Sequence, residues 1–306
     1  MIRCRQAAIE KTLKLRADIL RLVRGFFISR GYLEVETPIR IPAPAPEAHI
    51  EAEPSGPWFL HTSPELCMKR LLSAGYSHIF QLCKCFRKGE RGEKHLPEIT
   101  LLEWYRASAT YEDLMDECED LIGFLARQTG AGDCLVYQGI TIDLTSPWPR
   151  LAVSEAFDRY ASLSMVEALA CGKFDEAMGL EIEPELNFGR PVFLYDYPAS
   201  KGALARRKHR DGTLAERFEL YIAGLELCNA FSELTDAAEQ RARFEAEIAD
   251  RCRLGRPITP MPVLFLEALD HMPPAAGCAF GIDRLVMLFA DAARIDTVVA
   301  FTPEEL

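Results

Sequence analysis

The sequence predicts an α+β fold, an antiparallel sheet flanked by helices. Three observations carry this expectation. Strand-like and helix-like segments are interspersed with no regular βαβ rhythm. An alternating stretch, Gln81 to Phe86, enters a polar loop holding Gly89 and Gly92, and a second, Glu98 to Tyr105, leaves it; this is the pattern of a hairpin with a long tip. Further on, Phe218 to Asn229 reads as paired strands around Ala223-Gly224.

In chain order, residues 8 to 30 carry Ile9, Leu13, Leu20, Val23 and Phe27 at helical spacing, with Arg16, Arg21, Arg24 and Arg30 off that face. An amphipathic helix is expected there, stopped by Gly31. Leu33 to Thr37 alternates as a strand that Pro38 ends. Pro42, Pro44, Pro46, Pro54 and Pro57 make the next stretch an extended loop. Helix returns over Pro64 to Ala74, ahead of the hairpin. Residues 111 to 130 and Glu155 to Gly179 are predicted helical, Phe193 to Tyr197 a short strand, and Ala237 to Leu254 a long polar helix. The chain closes with a strand near Cys278 to Phe280 and a helix from about Asp283. No linker, repeat or low-complexity tract divides it, so residues 1–306 are expected to form a single domain.

Composition narrows the function. Apolar residues make up 49% of the chain, enough for a sizeable core, and charged residues 26%. The net charge of −11 opposes nucleic-acid binding unless a local basic patch compensates. Arg206-Arg207-Lys208-His209-Arg210 is the densest candidate and reads as solvated surface. Met1 to Arg16 is basic without an apolar core, so no secretory signal is expected. No apolar run approaches a membrane span; the longest, Leu285 to Ala293, is interrupted by Asp291. Of ten cysteines only Cys83 and Cys85 lie close in sequence, and no C-x-x-C occurs. They are read as small reduced core residues of a cytosolic protein, not a disulfide framework or a zinc site.

Three segments carry candidate chemistry. In the hairpin, period two puts Ile99, Leu101, Glu103 and Tyr105 on one face, so a carboxylate sits on a surface that should be buried and needs a cation or donors. In Glu219 to Glu233, Asn229, Phe231 and Glu233 share a strand face while Glu226 is out of phase, and a bulge would be needed to bring it to the same site. Glu219 and Glu226 together invite a hard cation with oxygen ligands, most simply magnesium carrying phosphates. In Gly277 to Leu288, two glycines allow close backbone approach. Asp283 can cap the following helix. Arg284 sits in that helix's first turn, where the dipole opposes a cation, so a bound anion, an aromatic plane or a surface carboxylate should account for it.

Taken together, the hairpin and the Gly277 segment resemble motifs 2 and 3 of the class II aminoacyl-tRNA synthetases, with the acidic strand between them. Gly31 to Pro38, after its helix, resembles motif 1. Thr62-Ser63-Pro64-Glu65, Leu102-Glu103-Trp104-Tyr105 and Asn229 to Asp236 resemble the lysyl-tRNA synthetases within that class. Those enzymes carry an amino-terminal OB-fold that binds the anticodon. Motif 1 here begins almost at Met1, so this module is expected to be absent, and the chain resembles the elongation factor P β-lysine ligase family. Ala279 agrees, standing where lysyl-tRNA synthetases have glycine.

The resemblance implies a class II catalytic domain that activates (R)-β-lysine with ATP and Mg2+ and passes it to a lysine of elongation factor P. It implies that Arg87 clamps the α-phosphate and substrate carboxylate, His95 reaches the outer phosphates, Arg284 covers adenine, and Glu219 and Glu226 hold magnesium. Lys88, Gly89, Leu96, Ile99, Leu227 and Gly281 join the ATP site. Glu233, Tyr105 and Glu103 surround the side-chain ammonium, with Phe231 beside them. Ser63, Pro64 and Glu65 lie near the other amino group, Asn229 near the carboxylate, and Ala279 at the small end of the pocket. The pattern departs at Gly89 (usually glutamate), Leu96 (usually asparagine) and Ile99 (usually phenylalanine). A cytoplasmic homodimer formed through motif 1, without stable tRNA or membrane binding, is implied. A tRNA or small-molecule acceptor, or a non-catalytic paralogue, remain the alternatives.

Overall fold

The computed structural model describes residues 5–186 and 189–306. A nine-stranded sheet carries the site. Its strands are β1 (Leu33–Glu34), β2 (His78–Phe86), β3 (Glu98–Ala107), β4 (Arg150–Ala152), β5 (Val192–Pro198), β6 (Arg207–Lys208), β7 (Asp211–Ile222), β8 (Leu225–Ser232) and β9 (Ala275–Gly281). Their spatial order is β1-β2-β3-β9-β8-β7-β5-β4, with β6 paired to β7. β1 runs parallel to β2 and β4 to β5, and the other pairs are antiparallel. The α+β expectation is met, and both expected strand pairs form.

The main helices are α1 (Glu10–Ser29), α2 (Glu65–Ser73), α3 (Tyr111–Thr129), α4 (Ala237–Arg253) and α5 (Ile282–Phe289). α3 starts at a capping box, with Asp113 accepting from the Thr110 backbone N–H at 2.7 Å, and ends at Gly130 with φ 84°. Successive strand residues point to opposite faces. Leu102 and Trp104 of β3, Cys228 and Ala230 of β8, and Cys278 and Phe280 of β9 belong to one core cluster with the apolar faces of α1, α3 and α5. The Phe27 and Trp104 rings are 5.2 Å apart. Burying a side chain of this size is worth roughly 2–3 kcal/mol relative to exposure. The intervening residues face the other way, into the candidate site.

Several local expectations need correction. The strand predicted over Leu33 to Thr37 is only two residues long, and its ladder ends as the Val35 N–H donates to the Phe80 carbonyl. The proline-rich loop contains a three-stranded sheet built from Arg40–Ile41, Pro54–Ser55 and Trp58–Leu60. The one proline-bearing strand there, Pro54–Ser55, is two residues long, which limits the cost of the missing donor. The helical region Glu155 to Gly179 breaks into Val153–Tyr160, Met165–Ala170 and Phe174–Ala177, because Ser164 caps a new helix and Gly172 turns the chain at φ 71°. Asp283 is not the cap of α5; Gly281 holds that position. The Asp283 carboxylate instead accepts from the Thr100 N–H at 2.7 Å and pairs with Arg16 at 2.7 Å, tying α5 to β3 and α1.

The basic run lies at the surface, yet Arg206 pairs with Glu216, Arg207 with Glu239 and Lys208 with Asp196, so much of its charge is neutralised. The described cysteines are free, but Cys134, Cys171 and Cys252 are exposed rather than core residues. Cys83 and Cys85 approach to 3.7 Å beside His61, whose Nε2 lies 2.7 Å from the Lys84 carbonyl and is thus already engaged. No helix among the described residues is long and apolar enough to cross a membrane.

Candidate active site

Pairing register brings distant residues into one row. Gln81 lies opposite Glu103, Glu103 opposite Ala279, Ala279 opposite Asn229, and Asn229 opposite Glu219. Directly paired residues point to the same face, so five strands from separate parts of the chain present this row together. The neighbouring row runs Ile79, Tyr105, Gly277, Phe231 and Arg217. Most of these residues line a cavity of about 670 Å³ that also takes in Ser63, Glu65, Arg87, His95, Glu226 and Arg284. The bulge expected for Glu226 is present. Pairing steps from Leu220–Cys228 to Tyr221–Glu226, leaving Leu227 as the extra residue, and Glu226 turns to the cavity side.

At the cationic end, Arg284 donates to the Glu226 backbone carbonyl at 2.7 Å and to its carboxylate at 3.1 Å. A second guanidinium nitrogen donates to His95 Nε2 at 2.6 Å. Partial burial, then the Arg284 charge, lowers the His95 pKa and favours the neutral ring that accepts this bond. Arg87 is half-buried, its terminal nitrogen 3.9 Å from Glu90, and its buried Nε has no hydrogen-bond partner among the described residues. A buried guanidinium donor left open on a cavity wall suits an anion.

Glu219 accepts from Tyr197 at 2.6 Å, Tyr221 at 2.8 Å and Arg217 at 2.6 Å. Burial, then the charges of Glu219 and Glu226, raise the pKa of Glu183. Glu219 and Glu226 both line this corner of the cavity, and paired carboxylates suit a hard divalent cation.

At the opposite end the cavity is acidic. Glu103 is fully buried and accepts from Ser63 Oγ at 2.6 Å and Tyr105 Oη at 2.9 Å. Burial, reinforced by Glu65, pushes its pKa up to about 8. Glu233 lies one layer behind the wall, against Gly277, and burial pushes it up to about 8 against the pull of Lys69. The Lys69 ammonium is 2.5 Å from Glu233 Oε2 and 2.5 Å from Glu65 Oε1. Among the described residues neither buried Glu233 oxygen has a hydrogen-bond partner, and only Oε2 is ion-paired, with Lys69. A Cβ on Gly277 would come within 2.5 Å of that oxygen and 2.2 Å of the Tyr105 ring.

Of the sequence-predicted site residues, Arg87, Gly89, His95, Ile99, Glu103, Tyr105, Glu219, Glu226, Leu227, Asn229, Phe231, Ala279, Gly281, Arg284, Ser63 and Glu65 line the cavity. Lys88 is not in that lining and pairs with Glu51 at 3.3 Å. Leu96 is packed into the core cluster, as its apolar side chain demands, and Pro64 is buried beside the cavity without lining it. Beyond these, Glu47 and Lys69 belong to the site, and Glu183 stands outside the cavity lining. Glu47 lines the cavity, and burial, against the pull of Arg87, pushes it up to about 7. Spacing offered one signal: Lys69 follows Glu65 by one helical turn.

The fold and this cavity define a class II synthetase, and the chain belongs to that family: the model for tRNA synthetases class II (D, K and N) matches residues 1–305. Among curated proteins it is 40% identical over 304 residues to the elongation factor P–(R)-β-lysine ligase of Edwardsiella ictaluri, covering 94% of this chain and 93% of that protein. The Vibrio cholerae protein of the same name is 39% identical, covering 94% of each. The lysine–tRNA ligase of Moorella thermoacetica is 38% identical over 94% of this chain, which spans only 64% of its length.

Proposed function

We propose that this chain is an ATP-dependent ligase that activates (R)-β-lysine as its adenylate and transfers it to a lysine side chain of elongation factor P. The observation carrying this reading is the polarity of one cavity: Arg87, His95 and Arg284 at one end, Glu103 and Glu65 with Glu233 behind them at the other. A diamino acid matches that layout, with two ammoniums for the carboxylates and one carboxylate for Arg87. In the first step a substrate carboxylate oxygen bonds to the α-phosphorus as the bond to pyrophosphate breaks. In the second, an acceptor amine bonds to the acyl carbon, loses a proton, and AMP leaves.

Such phosphoryl chemistry needs positioning and charge neutralisation. Arg87 would hold the α-phosphate and carboxylate together, His95 the outer phosphates, and Arg284 the adenine face, leaving Glu226 as it does so. Mg2+ would be held by Glu219 and Glu226, with Glu183 beside them, and supplies charge neutralisation on the phosphates. The near-complete mutual coverage with the elongation factor P ligases supports the protein acceptor. A single-domain, cytoplasmic homodimer joined through the segment around Gly31 to Pro38 completes the reading; a monomer in sedimentation would remove that part.

The test is pyrophosphate exchange with (R)-β-lysine and with α-lysine, followed by mass spectrometry of elongation factor P. Faster exchange with the β isomer and a β-lysyl mass gain are expected. No mass gain with an active adenylating enzyme would reject the acceptor. The identity to lysine–tRNA ligases supports a second reading, charging of tRNA, which tRNA retention on a filter together with lysyl-tRNA formation would establish.

A further inference from the structure

We infer that Lys69 is a resident counter-ion that sets the charge of the amine pocket and positions Glu65 and Glu233 for a doubly cationic substrate. This rests on the reading of the cavity as a diamino-acid site. Lys69 is 1% exposed, which is rare for lysine, and its ammonium sits 2.5 Å from an oxygen of each carboxylate. The Phe231 ring lies 5.0 Å from it. Burial lowers the pKa of this ammonium, but Glu233 and Glu65 outweigh burial and raise it, so it stays charged.

Two consequences follow from the contacts. First, Glu65 and Glu233 come from α2 and the segment after β8, and a shared cation makes them neighbours rather than mutually repelling groups. Lys69 engages Glu233 Oε2 and leaves Oε1 buried and open, facing Gly277. A buried acceptor with no partner is costly, and an arriving ammonium would satisfy it. Second, with substrate ammoniums holding Glu65, Glu103 and Glu233 ionised, Lys69 offsets one of the three negative charges. The balance equals the charge of two ammoniums. Without Lys69 the same pocket would hold one uncompensated carboxylate in a buried site, which would take up a proton rather than stay charged.

Lys69 is thus a positioning residue, and it stays in place when substrate binds. In the wild-type enzyme, pyrophosphate exchange first establishes that a diamino acid is adenylated; absence of exchange with any lysine isomer would fail the functional reading, not this one. Given exchange, Lys69→Met should raise the KM for the diamino acid by about tenfold or more while kcat changes by less than about threefold. An unchanged KM in a folded variant would overturn the proposal. A wild-type measurement decides the case if the variant does not fold. In protein labelled with 15N-lysine, a buried ammonium resonance protected from exchange should persist when unlabelled substrate is added to saturation. Its loss on binding would mean that the substrate displaces Lys69, and would overturn the resident role.

Discussion

Gly277 leaves no room for a side chain between the cavity and Glu233: a Cβ there would stand 2.5 Å from Glu233 Oε1. It would also stand 2.2 Å from the Tyr105 ring, a buried and well-packed group that cannot simply swing aside. Gly277→Ala should therefore displace Tyr105 or Glu233 and close the amine end. The expected result is a KM for the diamino acid raised by about tenfold or more, read by pyrophosphate exchange. A variant with wild-type KM would remove Glu233 from the site.

The open Nε of Arg87 predicts a transition-state role. Arg87→Ala should lower the rate of adenylate formation on the order of 10²–10³-fold. Single-turnover measurement with labelled ATP would check it, and a loss confined to KM would assign Arg87 to binding alone.

Glu103 has no cationic partner among the described contacts, and burial, then Glu65, pushes it up to about 8. Its folded value lies above its unfolded one, so its contribution to stability is fully present below about pH 4 and is lost as pH rises toward 8. The ligand-free enzyme should therefore lose thermal stability progressively between about pH 5 and pH 8 through this group. An ammonium ligand prefers the ionised form, so the KM for the diamino acid should fall over the same interval and level off above it. Glu103→Gln should flatten both profiles; a KM independent of pH in the wild type would contradict the assignment.

Burial, then the charges of Glu219 and Glu226, raises the pKa of Glu183. Glu183→Gln relieves that repulsion but removes one oxygen charge from the corner. The Mg2+ concentration giving half-maximal exchange should rise several-fold, with little change in the KM for the amino acid. An unchanged Mg2+ requirement would leave Glu183 as a spectator.

Much of the fold and site was legible in the sequence, because alternation and helical spacing are local properties of a chain that must bury one face. The period-two face of Ile99, Leu101, Glu103 and Tyr105, the turn at Ala223-Gly224 and the bulge demanded by Glu226 were all readable on that ground. The row that sets Glu103 beside Ala279, Asn229 and Glu219 was not, because strand order and register depend on how remote segments pair. Lys69 and Glu183 stayed hidden for the same reason. A lysine one turn after a glutamate looks like any exposed helix pair until the fold buries it against Glu233. Asp283 was misread as a helix cap because its true partners, Arg16 and the Thr100 backbone, lie in other elements. Alternation along each strand assigns these residue types to the cavity face. Which charges meet there follows from how the strands pair and the helices pack, since burial and proximity, not residue type, set their electrostatics.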